Sequence, residues 1–363
     1  QNGKHDQGFF SMHAVYDFPG PCETLAREPF NRVLPERARG VVWKGGCLME
    51  EAAIRAAGAW CLDVKRIRDD VAISGSPQRS DFRCVVECPD RGLVVLENIR
   101  GQDRGKKQAI IDTIDFLCGQ GLSLVHPYMR TAEGRHIVQD EGFLWQASPY
   151  VQGVPLDRPG YAFDQWRGTA MADFLIDLRR ASGSLHELLS SPPFSILNHI
   201  DVLMGQIRIR VPGLVDRLAP VAAFLQKRLA HVHDNLPRAF CHGDYHPLNI
   251  IWSENAIQGV IDWEFSGIKP EIYDAATLIG CLGMEIPDAL TGPGVMEFVR
   301  KLKAEQVFSE TSWRVLVEMT IAIRFGWLSE WLRNHDEEMI ELEMVYMHLL
   351  MDHADDLVGL WYC

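Results

Sequence analysis

The stretch Cys241-His242-Gly243-Asp244-Tyr245-His246-Pro247-Leu248-Asn249, followed after two short apolar runs by Ile261-Asp262-Trp263-Glu264, decides how the rest of the chain is read. Asp244 and Asn249 stand five apart, and Asp262 follows Asn249 by thirteen. The runs between them, Asn249–Trp252 and Ile257–Ile261, flank Ser253–Ala256 and predict a hairpin. A short loop followed by a hairpin brings three oxygen-bearing side chains together from two sides. Asn249 and Asp262 are hard oxygen donors suited to Mg²⁺, which takes one or two carboxylates plus phosphate oxygens. Asp244 can accept the proton of an attacking hydroxyl, or orient it. Those are the needs of phosphoryl transfer: positioning, a divalent cation across the phosphates and an acceptor for the hydroxyl proton. Each half alone has a plainer reading, His-Gly-Asp as an Asx turn and Asp262 as the cap of a loop after its strand. Both together, in order and separated by apolar strands, favour the metal site.

Outward from this point, the chain toward the C-terminus reads as helical after Pro270, with breaks at Pro287 and around Thr291–Gly294. Upstream, Phe163–Ser190 and Val211–Asn235 predict long helices, the second starting after Pro212. Ser148–Gly160 (SPYVQGVPLDRPG) is polar and proline-bearing, and a lobe boundary is expected at about Tyr150–Pro155. Before it the period changes to that of strands. Val64–Ile73, Phe82–Glu87 and Leu93–Ile99 form three candidates, the last two joined by a turn-forming Cys88-Pro89-Asp90-Arg91-Gly92. His136–Gln139 and Phe143–Ala147 add two more, joined across Asp140–Gly142. Gly105–Gln120 keeps helical spacing through Ile110, Ile111, Ile114 and Leu117, and Met49–Leu62 is rich in helix formers. Three segments are expected: an irregular, proline-punctuated lead-in over 1–48, a β-rich lobe over 49–150, and a helical lobe that carries both loops over 151–363.

HGDYHPLN resembles the catalytic loop of the aminoglycoside phosphotransferase and choline kinase-like family, relatives of protein kinases, and IDWEFSG resembles its metal-binding segment. The likeness runs from the helix at Met49 to about Leu282. It implies an α+β, protein kinase-like fold in two lobes, a small N-terminal antiparallel β lobe and a larger helical C-terminal lobe. It also implies ATP and Mg²⁺ as cofactors, Asp244 as the catalytic aspartate, and Asn249 and Asp262 on the metal. By the same resemblance His242 orders the loop, and Asp274, in IYDAATL, braces it; Asp274 also reads as a helix N-terminal cap. His246 is either a lining residue or a satisfied core histidine.

The small lobe departs from the family. Such kinases place a lysine on the third strand, paired with a glutamate of the following helix. Here RGLVVLENI puts Glu97 at that position, and the helix opens with the basic Arg104-Gly105-Lys106-Lys107. A charge-swapped pair is expected, Glu97 with Lys106 or Lys107; the plainer alternative is a set of solvated charges. The phosphate-covering loop would be Ile73–Ser80 (ISGSPQRS), which has one glycine, so Ser76, Arg79 and Ser80 would contact phosphate through side chains. Against that stands an ordinary polar turn. Adenine contacts are placed by position and resemblance at Gln146, Ser148 and Tyr150. For the acceptor, Glu264 and the aromatic pair Trp327 and Trp331 are candidates. The two tryptophans lie four apart on one helix face, a spacing that plain core packing also gives.

Composition bounds the partners. The 363 residues are 47% hydrophobic and 23% charged, ordinary for a globular protein and unlike a disordered chain or a fibrous rod. The net charge of −13 repels nucleic acid and anionic lipid as principal partners without excluding a local basic pocket. No apolar run reaches the roughly 18 residues of a membrane helix, and no signal peptide is seen. Nine scattered cysteines form no zinc set, consistent with reduced thiols and a cytoplasmic protein. The expected activity is ATP- and Mg²⁺-dependent phosphorylation of a hydroxyl on a small molecule (sugar, amino sugar, amino alcohol or antibiotic-like acceptor). The competing reading is a pseudokinase, a nucleotide-binding or regulatory protein without productive transfer. Glu97 and the glycine-poor loop favour it, and the complete set of Asp244, Asn249 and Asp262 opposes it. The sequence names neither the acceptor nor an oligomeric state.

Overall fold

The computed structural model describes residues 46–75, 80–185 and 194–362. These divide into two compact units. One comprises 46–75, 80–115 and 126–151; the other comprises 116–125, 152–185 and 194–362. The chain thus passes between units at Val151–Gln152, and the stretch Phe116–Val125 also goes with the helical unit, which a single cut at 150 does not provide for.

The smaller unit is an antiparallel sheet in the order β1-β2-β3-β5-β4, from β1 (Arg66–Ile67), β2 (Phe82–Cys88), β3 (Gly92–Ile99), β4 (Val138–Asp140) and β5 (Phe143–Pro149). Alternation along the strands gives the sheet two apolar faces. Cys84, Val86, Val94, Leu96, Trp145 and Ala147 pack against Ala52, Ala53, Ala56 and Ala57 of α1 (Gly46–Ala57), whose small side chains let the helix lie close. On the opposite face Ile99 and Leu144 pack with Ile111 of α2 (Arg104–Gly119). The hairpin between β2 and β3 places Cys88 opposite Gly92, which takes φ 70°, a conformation that glycine adopts without a Cβ penalty. The first strand is shorter than the Val64–Ile73 that sequence predicts. Val71 N–H donates to Arg68 O (3.2 Å) and the Arg68 guanidinium closes on Asp70 (2.7 Å), so the chain turns away from the ladder.

The larger unit is helical: α3 (Gln165–Ala181), α4 (Ile196–Arg210), α5 (Val215–Arg228), α6 (Tyr273–Glu285), α7 (Pro293–Ala304), α8 (Leu316–Asn334), α9 (Glu337–Asp352) and α10 (Ala354–Tyr362). The segment α4 carries no expectation from sequence, and the helix predicted over Val211–Asn235 is α5 followed by a single turn, Ala230–His233. The helix predicted to Ser190 ends at Ala181, and the end of that prediction lies outside the described residues. Every residue of α8 from Leu316 to Trp331 is buried, the pattern of a central helix. Among the described residues no helix is long and apolar enough to cross a membrane.

Between α5 and α6 lie two nested two-stranded ladders. The outer pairs β6 (Arg238–Cys241) with β9 (Gly267–Pro270); the inner pairs β7 (Ile250–Trp252) with β8 (Ile257–Val260). The inner hairpin is the predicted one. The outer pair was not legible, because β9 is four residues bounded by Gly267 and Pro270. Nesting brings two loops to one place. Residues 242–249 join β6 to β7 and residues 261–266 join β8 to β9, so both loops emerge at the same junction.

Candidate active site

At the end of β6 the backbone turns away from its ladder, and the N–H groups of His242 and Gly243 need acceptors. Both are met by one carboxylate. Asp274 is not the cap of α6, a position Ile272 takes; it lies in the first turn and accepts from His242 N at 2.7 Å and from Gly243 N at 2.8 Å. Complete burial pushes the Asp274 carboxyl up to about 6, although these two bonds and the nearby Lys269 and Arg179 oppose the rise. Gly243 takes φ 84°, and a Cβ there would collide with the carbonyl oxygen of Phe265. That close approach packs the first loop directly on the second.

The His242 ring sews the two loops together. Its Nδ1 accepts from Asp244 N (3.2 Å), so its Nε2 carries the proton and donates to Ile261 O (3.0 Å). The ring is buried and tilts against Trp263 with centroids 4.5 Å apart. A second tie runs from Ile261 N to Asn249 O at 2.9 Å, which sets Asp262 beside the end of the first loop. Asp262 itself has φ 73°, a left-handed conformation that aspartate tolerates better than bulkier residues.

Asp244 is 1% exposed. Its Oδ2 accepts from Asn249 Nδ2 at 3.1 Å, and the same amide donates to Asp244 O at 3.0 Å. With its N–H₂ turned to Asp244, the Asn249 amide has its carbonyl oxygen on the other side, and among the described residues nothing donates to it. His246 stands at the other carboxylate oxygen: Leu248 N donates to His246 Nδ1 (3.3 Å), which leaves the Nε2–H facing Asp244 Oδ1 at 3.5 Å. The carboxylate is therefore hydrogen-bonded at Oδ2, while the His246 ring lies beside Oδ1 at a distance too long for a hydrogen bond.

A metal at this junction fits the donor chemistry. Among the described residues no group of three or more His, Cys, Asp or Glu side chains is arranged to hold an ion. An ion here would rest on Asn249 Oδ1, the Asp262 carboxylate and the oxygens of a phosphate, the mixed shell that Mg²⁺ accepts. Glu264 is half-buried in the turn after Asp262. Trp327 and Trp331 lie in the packed interior, their rings 6.2 Å apart, and Trp331 Nε1 donates to Glu343 (3.2 Å). Trp327 meets the His246 ring edge-on at 5.6 Å, so it supports the side chain next to Asp244.

In the smaller unit, Ser76 and Arg79 lie outside the described residues. Ser80 is buried, and its hydroxyl meets no partner among them. Gln146 is buried on β5 and donates to Glu97 Oε2 at 2.5 Å. Ser148 is half-buried opposite Val95, and Tyr150 donates to Ala72 O (3.1 Å). Lys107 is 5% exposed with its Nζ 3.9 Å from Glu97 Oε1, whereas Lys106 is exposed. Sequence reasoning missed Arg83, which lies opposite Glu97 and donates to the carbonyls of Ser74 (3.3 Å) and Gly75 (3.2 Å). The signal was available: with Cys88 opposite Gly92, counting back along the hairpin sets Arg83 across from Glu97.

Known proteins share this arrangement of elements. Homoserine kinase of Methylocella silvestris is 24% identical over 216 residues, 58% of this chain and 63% of that protein, so the chain spans less than two thirds of this relative's length. Among solved structures, the amicoumacin kinase hAmiN in complex with AMP-PNP, Ca²⁺ and Ami superposes with a TM-score of 0.59 at 12% identity, covering 85% of this chain and 94% of that one. An aminoglycoside phosphotransferase from Alicyclobacillus acidocaldarius gives 0.58 at 11% identity, covering 84% and 93%. These likenesses show an α+β, protein kinase-like fold, with a small antiparallel β unit and a larger helical one. The model of the phosphotransferase enzyme family, APH, matches residues 89–304, which takes in the sheet from β3 onward and both nested ladders; the chain belongs to that family.

Proposed function

We propose that this chain transfers the terminal phosphoryl group of ATP to a hydroxyl of a small molecule, with magnesium as the accompanying ion. The observation that carries the reading is the buried Asp244 carboxylate, fixed by Asn249 at the junction of the two loops. The Asn249 amide donates to one carboxylate oxygen and orients the group that must receive the hydroxyl proton, with the His246 ring next to the other oxygen. Asp244 would accept that proton as the acceptor oxygen forms its bond to the γ-phosphorus and the bond to the β-phosphate oxygen breaks. Asn249 and Asp262 would hold the ion, which when bound neutralises charge on the phosphates. The smaller unit would bind the nucleotide, with Ser76, Arg79 and Ser80 toward phosphate and the Gln146–Tyr150 stretch toward adenine. The homoserine kinase relative and the solved kinases are consistent with sugars, amino alcohols and antibiotic-like molecules as candidate acceptors.

The test is a phosphoryl-transfer screen with ATP and Mg²⁺ against a panel of small alcohols, amino alcohols and sugars. Once an acceptor is found, Asp244→Asn is expected to lower kcat by about 10²–10⁴-fold, the usual effect of losing a general base or its positioning, with nucleotide affinity nearly unchanged. Asp262→Ala is expected to remove the dependence of ATP binding on Mg²⁺. An Asp244→Asn enzyme with wild-type kcat would exclude Asp244 from this role. The presence of Glu97 where related kinases carry lysine favours a second reading, a nucleotide-binding protein without transfer. ATP-dependent thermal stabilisation with no turnover on any acceptor would support it.

A further inference from the structure

The carboxylate of Glu97 sits in the second half of β3, on the face over which α2 lies. The placement follows from register. Arg83, Glu97 and Gln146 are neighbours across β2, β3 and β5, so their side chains share one face. Ile99, two residues along β3, is on that face and packs against Ile111 of α2. Lys107 precedes Ile111 by one helical turn, so it projects from the same side of α2 and arrives above Glu97. The pair is nearly closed to solvent, with side-chain exposures of 6% for Lys107 and 16% for Glu97.

Phosphoryl-transfer enzymes of this fold need a cation near the α- and β-phosphates, held by a carboxylate so that burial does not discharge it; in protein kinases the strand supplies the lysine and the helix the glutamate. We infer that here the two elements have exchanged partners. Lys107 of the helix is the cation that meets the nucleotide phosphates, and Glu97 of the strand is the positioning residue that holds it. This inference rests on the proposed nucleotide binding. Three details carry it. At 3.9 Å the contact is an ion pair rather than a close hydrogen bond, so Glu97 compensates the charge of the buried ammonium without a short hydrogen bond to it. Gln146 donates to the second oxygen of Glu97 and fixes the carboxylate from behind. Arg83, on the same face, anchors the backbone at Ser74 and Gly75, where the segment leading to Ser80 begins, and adds a second positive charge. Lys106, exposed on the helix, is not the partner.

Calorimetric titration of the full chain with ATP plus Mg²⁺, and separately with adenosine, tests the assignment. The ratio of the two affinities isolates the phosphate contribution, which a merely structural ion pair would not move. Lys107→Met is expected to weaken ATP binding roughly ten- to hundredfold, as when a charge-assisted hydrogen bond is lost, while adenosine affinity changes less than about twofold. Lys107→Arg is expected to restore most of the ratio. Glu97→Gln, which leaves the cation in place but loosely held, is expected to lower the ratio by a smaller factor. Glu97→Lys alone sets two cations together and is expected to lower both melting temperature and ATP affinity; combined with Lys107→Glu, both are expected to recover. If Lys107→Met melts below the assay temperature, this double reversal carries the test. A double reversal that melts as low as Glu97→Lys alone, or that binds no ATP, overturns the exchange. So does an ATP-to-adenosine ratio that ignores Lys107, or an ATP affinity raised by Glu97→Lys alone; in those cases the nucleotide-binding reading survives. A wild-type chain that binds neither ligand overturns both.

Discussion

Asp274 holds two backbone N–H groups with a carboxylate that burial would rather see neutral. Its folded-state value of about 6, against an ordinary 3.8, means that the folded chain binds the extra proton more readily than the unfolded one. The sign follows from linkage. The stability associated with this group is complete below about pH 4 and is lost as pH rises through 6, a change on the order of 3 kcal/mol for a shift of this size. Loop geometry runs the opposite way, since only the ionised carboxylate can accept from both His242 and Gly243. Asp274→Asn removes the titration and turns one amide donor toward a backbone donor, at a cost of about 1–3 kcal/mol. Urea unfolding of both proteins between pH 4 and 8 is expected to show the wild-type advantage largest at the acid end and shrinking toward neutrality. A difference flat across that range would show that Asp274 does not titrate there. The motif residues His242, Asp244, Asn249 and Asp262 were legible in sequence because a loop of fixed spacing carries its chemistry locally. The tautomer of His246 and its direction toward Asp244 were not, since they depend on where Leu248 N–H points.

Elements meet in this protein at glycines as well as at apolar faces. Gly168 of α3 lies against Gly294 at the start of α7, and a Cβ on Gly168 would collide with Gly294 O. The neighbour is backbone, so the helices themselves would have to separate. Gly168→Ala is therefore expected to cost about 1–3 kcal/mol through overpacking, despite the better helix propensity of alanine. Gly205 of α4 provides the contrast: a Cβ there meets nothing within 4 Å. Gly205→Ala is expected to stabilise by about 0.5–1 kcal/mol. Thermal melts of the two variants should shift in opposite directions; a shared direction would contradict the packing argument. Most of the strands were readable because alternation and turn residues are local signals. The β6–β9 ladder was not, because its two strands are four residues each and far apart in the chain. Their pairing is decided by the loops and hairpin enclosed between them.

At the scale of the molecule, the helical unit is organised around a charge inside its core. Arg324 of α8 makes a two-pronged contact with Glu343 of α9, Nε to Oε1 at 2.5 Å and Nη2 to Oε2 at 2.7 Å, and both side chains are buried. The guanidinium lies 4.9 Å from the Trp327 ring centroid and 5.5 Å from that of Tyr346. Glu343→Gln leaves a buried cation without its counter-charge and is expected to cost about 3–5 kcal/mol, whereas the double change Arg324→Met with Glu343→Leu is expected to cost less than either charge-removing single change. Denaturant unfolding of the set measures the coupling, and additive effects would show that the pair is not the organising contact.

Trp327 and Trp331 show where sequence ends. Their spacing is equally that of a binding face and of a core, and only the position of α9 with Glu343 decides that both are buried. The sequence by itself determined the family resemblance, the strand trio, the two loops with the candidate catalytic and metal residues, and the reversed charges at Glu97 and the Lys106-Lys107 pair, because each is written in residues close together or in a short periodic pattern. The tertiary structure alone decided that Lys107 rather than Lys106 meets Glu97, that Arg83 shares their face, and that the two nested ladders deliver Asp244, Asn249 and Asp262 to one junction. Those outcomes depend on register and helix rotation, which are set by burying apolar side chains from distant segments, and no local pattern encodes them.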